Sequence, residues 1–204
     1  MFGLLQLLSE NPLVFVLVVL ALVLSITIHE FAHAYVATKL GDNTAKDLGR
    51  VSLNPLAHLD PIGTLMLVFV GFGWGKPVPF NPYALKNPKV DSALISVAGP
   101  ISNFILAIIL AVIAKFVNPD GIFFAFIYLT IFYNLILGIF NLIPLHPLDG
   151  FKVVYGILPQ NLAWQWQQTE QYGIYVLMLL VLTRSTGAFI TPLINFGMSI
   201  LGLS

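Results

Sequence analysis

The chain has 204 residues, 58% of them hydrophobic and only 9% charged, with a formal net charge of zero. Soluble domains carry about 25% charged residues, so this composition and a mean hydropathy of +0.91 exclude an ordinary soluble domain. They indicate one membrane-embedded domain over residues 1–204, with no charge bias toward nucleic acid or a polybasic lipid anchor.

The absence of cysteine leaves only His and carboxylate side chains to hold a zinc ion. The N-terminus lacks the basic region and small-residue cleavage pattern of a signal peptide, so the first apolar stretch reads as a retained helix. That helix is expected over about Pro12 to Thr38, with Gly41 as its stop. At 1.5 Å per residue it is about 40 Å long, enough to cross a roughly 30 Å hydrocarbon core with tilt.

Inside this helix, after the apolar run Pro12 to Ile28, stands His29-Glu30-Phe31-Ala32-His33. Positions i and i+4 share a helix face, so the two imidazoles can grip one zinc ion, with Glu30 beside them as general base. Two buried structural histidines are the plainer alternative. Ionisable groups in hydrocarbon are costly and usually functional, which favours the metal site. The motif lies about 25 Å from the helix start, nearer its Lys39 end.

Residues 1–38 contain no Lys or Arg, whereas Lys39, Lys46, Arg50, Lys76, Lys86 and Lys89 follow. The positive-inside rule then puts the N-terminus outside and segments 39–60 and 76–90 in the cytoplasm. Pro61 to Gly75 is apolar but too short to span, and reads as a re-entrant or interfacial element. Val51-Ser52-Leu53 and Val78-Pro79-Phe80 are candidate short strands flanking it. His58 and Asp60 are weighed as a second metal pair, but a cytoplasmic turn between prolines explains both.

A second span is expected from Ala93 to Lys115, a turn at Asn118-Pro119-Asp120-Gly121, and a third span from Ile122 to Ile143. Asn103 and Asn134 lie within spans and read as interhelical hydrogen-bonding groups. Residues 151–170 read as a cytoplasmic connector, with Trp164 and Trp166 as interface anchors. Tyr172 to Leu203, interrupted at Arg184-Ser185-Thr186-Gly187, is open between one tilted helix, a hairpin, and a span with an interfacial piece.

A catalytic zinc takes three protein ligands. Asp42, Asp47, Asp91 and Asp120 read as solvated loop or helix-end residues. Asp149 follows the third span at the matching depth, between the helix breakers Pro144 and Pro147 and the permissive Gly150. A helix N-cap role is the alternative for it.

The HExxH, Gly99-Pro100-Ile101-Ser102-Asn103 as GxxxN, and Asn141-x-x-Pro144-x4-Asp149-Gly150 occur in the order seen in site-2 proteases. The chain resembles that family of intramembrane zinc metalloproteases over about residues 12 to 158. Asn54 to Pro61 resembles a segment of its small members without accessory domains, and neither a PDZ nor a CBS domain fits in this length.

The resemblance implies an all-α polytopic membrane fold: a three-helix catalytic core, C-terminal membrane segments, and a re-entrant or β-like element at about 51–80. It implies one Zn2+ per chain held by His29, His33 and Asp149, with Glu30 as base and Asn141 positioning substrate or the oxyanion. His146 departs from the family pattern and reads as an interfacial loop histidine, with an outer-sphere or ligand role open. Transmembrane proteins within the lipid bilayer are the expected substrates, in a prokaryotic plasma membrane with the site toward the cytoplasm. A membrane metal transporter or metal sensor is the competing reading, which the clustering of polar groups at one depth disfavours.

Overall fold

The structure is a computed structural model and describes residues 4–70, 73–183 and 185–203. A short helix α1 (Leu4–Glu10) leads into α2 (Pro12–Lys39). Asn11 starts α2 by accepting a hydrogen bond from the Val14 N–H (3.2 Å), with Pro12 in the first turn. The helix stops where Gly41 adopts φ +107°, a conformation that favours glycine.

Beyond it come α3 (Thr44–Asp47), α4 (Pro61–Val70), α5 (Pro88–Val117) and α6 (Gly121–Asn141). The short helices α7 (Asp149–Ile157) and α8 (Gln160–Gln168) precede α9 (Glu170–Leu182) and α10 (Ser185–Ile200). Among the described residues α2, α5 and α6 are each long and apolar enough to cross a membrane. This is an integral membrane protein of all-α architecture. α5 starts five residues earlier than its apolar stretch suggests, because Pro88 and the Asp91 carboxylate, which accepts from the Asn87 N–H (2.8 Å), organise its first turn.

α5 is the central helix, packed against α2, α6 and α7. It runs antiparallel to α2, since His29 meets Asn103 while His33, one turn on, meets Ile95. Ala107, Ala111 and Ala114 of α5 face Ile127, Ile131 and Leu135 of α6, with Ile194 and Met198 of α10 completing that core. Small residues let membrane helices approach closely and gain dispersion contacts. The C-terminal stretch is a bent pair, with α9 and α10 at 78° to one another; Arg184 lies outside the described residues.

The segment from 51 to 80 departs from expectation. Residues 51–53 and 78–80 form no strands, and the β character is one isolated antiparallel bridge between Leu59 and Gly75. Pro77 and Pro79 lack the N–H groups a ladder needs. α4 is ten residues, about 15 Å at helical rise, too short to span. The chain turns back against it: a Cβ on Gly63 would lie 2.1 Å from the Trp74 carbonyl oxygen. Gly71 and Phe72 lie outside the described residues.

Two acidic residues read as solvated are buried. Asp42 accepts from the Thr44 N–H (2.9 Å), Thr44 Oγ1 (2.5 Å) and the Asn81 N–H (2.6 Å), tying the end of α2 to the segment before α5. Burial raises its pKa, but these three donors outweigh it and hold the carboxyl below its ordinary value. Asp91 is also buried, with its bond at the start of α5. Trp166, expected as an interface anchor, instead donates from Nε1 to the Phe151 carbonyl (2.9 Å) and stacks on that ring, whereas Trp164 is exposed.

α7 is held on α5 by backbone proximity. A Cβ on Gly156 would fall 2.2 Å from Ala93 Cβ and 3.2 Å from the Lys89 carbonyl oxygen, and Lys89 Nζ donates to the Leu158 carbonyl. Gly156→Ala should therefore destabilise the protein by about 1–3 kcal/mol through overpacking. Gly187→Ala, where a Cβ meets nothing nearer than 4.0 Å, should be neutral or stabilising by up to about 1 kcal/mol. Thermal unfolding of both variants in detergent checks the pair, and equal effects would contradict the close approach.

Candidate metal centre

α2 supplies two imidazoles to the interior, His29 and His33, which are 4% and 7% exposed. Each ring spends its Nδ1 on an acceptor from α5. His29 Nδ1 lies 2.6 Å from Asn103 Oδ1, and His33 Nδ1 lies 2.7 Å from the Ile95 carbonyl oxygen. A backbone carbonyl can only accept, so His33 Nδ1 carries a proton, and in the neutral ring Nε2 presents a lone pair.

The two Nε2 atoms stand 3.0 Å apart. Asp149, the first residue of α7, brings Oδ2 to 3.2 Å from His29 Nε2 and 3.3 Å from His33 Nε2. These three residues form a group with the donor atoms and proximity to hold a metal ion.

The donor set suits zinc. Bonds of about 2.0–2.2 Å at tetrahedral angles put donor atoms roughly 3.3 Å apart, close to the separations observed. Asp149 Oδ2 is buried without a hydrogen-bond partner. Three convergent acceptors with no proton assigned between them call for a cation.

Glycines set the approach distances. A Cβ on Gly99 would fall 2.4 Å from His33 Nε2 and 2.7 Å from His29 Cε1, so α5 presents bare backbone to the site. A Cβ on Gly150 would fall 2.3 Å from the Leu142 and 2.5 Å from the Ile143 carbonyl oxygens. Gly150 is absent from the residues with positive φ, so it is required for this close contact and not for unusual dihedrals.

Glu30 follows His29 and is half-buried under the returning chain, where a Cβ on Gly75 would lie 3.5 Å from Glu30 Oε1. Asn141 ends α6 and donates one amide hydrogen to the Leu137 carbonyl (3.0 Å). His146 turns elsewhere, pairing through Nε2 with Glu170 Oε1 at 3.3 Å.

His58 and Asp60 are not brought together as a second metal pair. His58 is wholly buried and donates from Nε2 to the Ser52 carbonyl (2.7 Å), while Asp60 Oδ1 accepts from the Gly63 N–H (2.7 Å). His58 lies in the turn between prolines, but inside it: the 52–58 loop folds over its own histidine.

Arg50 was legible only as one of several flanking cations, yet it is 4% exposed. Its guanidinium donates to the Pro77 carbonyl (3.1 Å) and to the Lys76 carbonyl. Lys76 N–H in turn donates to the His58 carbonyl (2.8 Å). Burial lowers the Arg50 pKa and the Glu30 charge opposes that fall, so this cation lies within electrostatic reach of Glu30. No local sequence pattern announces such a clasp.

The peptidase family M50 model matches residues 17–123 and 117–184. The chain belongs to the M50, or site-2 protease, family. It is 41% identical over 191 residues to YwhC of Bacillus subtilis (strain 168), which bears a zinc metalloprotease name, covering 88% of this chain and 86% of that one. It is 28% identical over 204 residues to Rip2 of Mycolicibacterium smegmatis (strain ATCC 700084 / mc(2)155), similarly named, covering 94% and 76%. The solved site-2 protease from Methanocaldococcus jannaschii superposes with a TM-score of 0.50 at 23% identity, over 96% of this chain and 82% of that one, a likeness of fold. The M50 member described here is a zinc metalloprotease of the membrane.

Gly99→Ala should weaken zinc binding by about tenfold or more, in the range seen when support around ligands is lost. The reference is His29→Ala/His33→Ala, which should retain no zinc, because a lone carboxylate is too weak a site. Chelator competition on the purified variants gives the affinities. Wild-type affinity in Gly99→Ala would mean that α5 does not confine the imidazoles.

Proposed function

We propose that the chain is a single membrane-embedded domain, with its core at about residues 12–158, that hydrolyses peptide bonds in or near transmembrane segments of other membrane proteins. His29, His33 and Asp149 would hold one zinc ion, and Glu30 would act as general base. The observation that carries this reading is the convergence of two imidazole Nε2 atoms, from a helix long enough to span that also carries Glu30, with one carboxylate oxygen of Asp149. Zinc bound there would supply Lewis acidity, making water a better nucleophile at neutral pH and polarising a scissile carbonyl.

The protein groups divide the remaining work. Asn103 and the Ile95 carbonyl hold both Nδ1 protons, which leaves each Nε2 a donor atom of fixed direction. Glu30 takes a proton from the attacking water and returns it to the leaving amine. Asn141 keeps its second amide hydrogen for the substrate carbonyl as negative charge develops. A substrate helix shields its own peptide bonds by hydrogen bonding, so it must unwind locally before Glu30 can act.

Glu30→Gln should keep its zinc and lose about 10²–10⁴-fold in rate, the usual weight of a general base. Zinc content and cleavage of single-span test substrates in detergent, side by side, separate binding from chemistry. Wild-type cleavage by this variant would remove Glu30 from the mechanism. Zinc flux through reconstituted vesicles without proteolysis would instead support metal transport.

We further propose a plasma-membrane location with the zinc site toward the cytoplasm. The ends of α2 at Lys39 and of α5 at Pro88 share one side, which the segments carrying Lys46, Lys76 and Lys86 join, whereas among the described residues Lys115 is the one basic residue near the far end of α5. Cysteines introduced at the exposed positions Asn43 and Asn87 should react with an impermeant thiol reagent only from the cytoplasmic side. One at Asn118 should react only from outside. Same-side labelling of Asn43 and Asn118 would overturn the topology.

A further inference from the structure

Three polar side chains lie on the far side of the metal centre from Lys39, wholly buried in the apolar bundle: Ser25 of α2, Asn103 of α5 and Asn134 of α6. Catalysis as read above uses only Asn103. The other two are explained by following each hydrogen.

Asn134 Nδ2 donates to the Thr130 carbonyl (2.8 Å) and to Ser25 Oγ (2.8 Å), while Ser25 Oγ donates to the Ala21 carbonyl (2.7 Å). The Thr130 carbonyl can only accept, so it fixes which end of the Asn134 amide is nitrogen. Asn134 Oδ1 must then face Asn103, whose Nδ2 donates to it (2.7 Å) and to the Ser25 carbonyl (3.2 Å). Both of those partners accept, so Asn103 Oδ1 faces His29 Nδ1. That ring nitrogen must donate.

We infer that Asn134 is a positioning residue for the zinc site: with two backbone carbonyls, it sets the polarity of the Asn103 amide and so fixes His29 as the tautomer with its proton on Nδ1 and its lone pair on Nε2. The Ser25 and Thr130 carbonyls are the fixed points of this relay, because no rotation can make either one a donor. Outer partners of ligating histidines fix tautomer and ring orientation in general. The relay here is two residues deep and crosses three helices. The inference rests on His29 being a zinc ligand.

Purified full-length protein in detergent tests it through zinc affinity, measured by chelator competition, independently of proteolysis. Asn103→Leu should weaken zinc by about 10–100-fold, and Asn134→Leu by about tenfold. In Asn103→Leu/Asn134→Leu the loss should be no greater than in Asn103→Leu alone, because Asn134 acts through Asn103. Losses that multiply, or an Asn134→Leu protein with wild-type affinity, would overturn the relay.

A measurement on the zinc-loaded wild type needs no variant to fold. In ¹⁵N-histidine spectra, the Nδ1 proton of His29 should be far downfield and slow to exchange, as a short buried hydrogen bond requires. A rapidly exchanging proton there would also overturn the proposal. Zinc retained by His29→Ala would instead refute the ligand assignment on which the relay rests.

Discussion

The hydrogen bonds from the two histidine Nδ1 groups to acceptors on α5 are the constraint from which the rest of the structure follows. An unpaired polar group in a hydrocarbon setting costs about 2–7 kcal/mol, so two imidazoles in an apolar span are tolerated only with partners. Asn103 and the Ile95 carbonyl provide them, which fixes both the separation and the rotation of α2 against α5. At that separation a side chain at position 99 would collide with both rings, so glycine is required there. The Nε2 atoms are left facing Asp149 at the start of α7.

The chain at 58–70 and 73–80 adds a layer with its own internal logic. The buried Arg50 guanidinium clasps the Lys76 and Pro77 carbonyls, so a short extended stretch is held without neighbouring strands. A buried cation there lies within reach of Glu30, and in a low-dielectric setting such a charge acts more strongly than at a surface. Lys152 of α7 sits over the Phe80 ring at 4.3 Å, joining the same layer to the helix that carries Asp149.

The three spans, the His29–His33 pairing and the shortness of the apolar helix from Pro61 were legible because each rests on local pattern: hydropathy over about 20 residues, a spacing of four on a helix, and an apolar run too short to cross. The proximity of Asp149 to both histidines was legible from chain order and helix breakers. What failed was tertiary in origin. Val51 and Val78 suggested strands, but the prolines at 77 and 79 and the Arg50 clasp favour a single bridge. Asp42 and Asp91 looked solvated because nothing in their neighbourhoods shows that backbone N–H groups would bond to their carboxylates. Asn134 read as a generic interhelical contact, and only the folded arrangement shows that it bonds to the amide that meets His29.

An enzyme that admits water to the middle of a bilayer risks opening a leak through it. The Ser25–Asn103–Asn134 relay lies between the histidines and the Asn118 end of the bundle, and each of its donor hydrogens is already committed to a protein acceptor. Water entering such a layer would find no spare donor and would have to break a satisfied network. A layer of that kind disfavours hydration of the site from the Asn118 end. The polar groups that bond to one imidazole would then serve a second purpose, as a seal that keeps the ion gradient intact if peptide hydrolysis proceeds at the site.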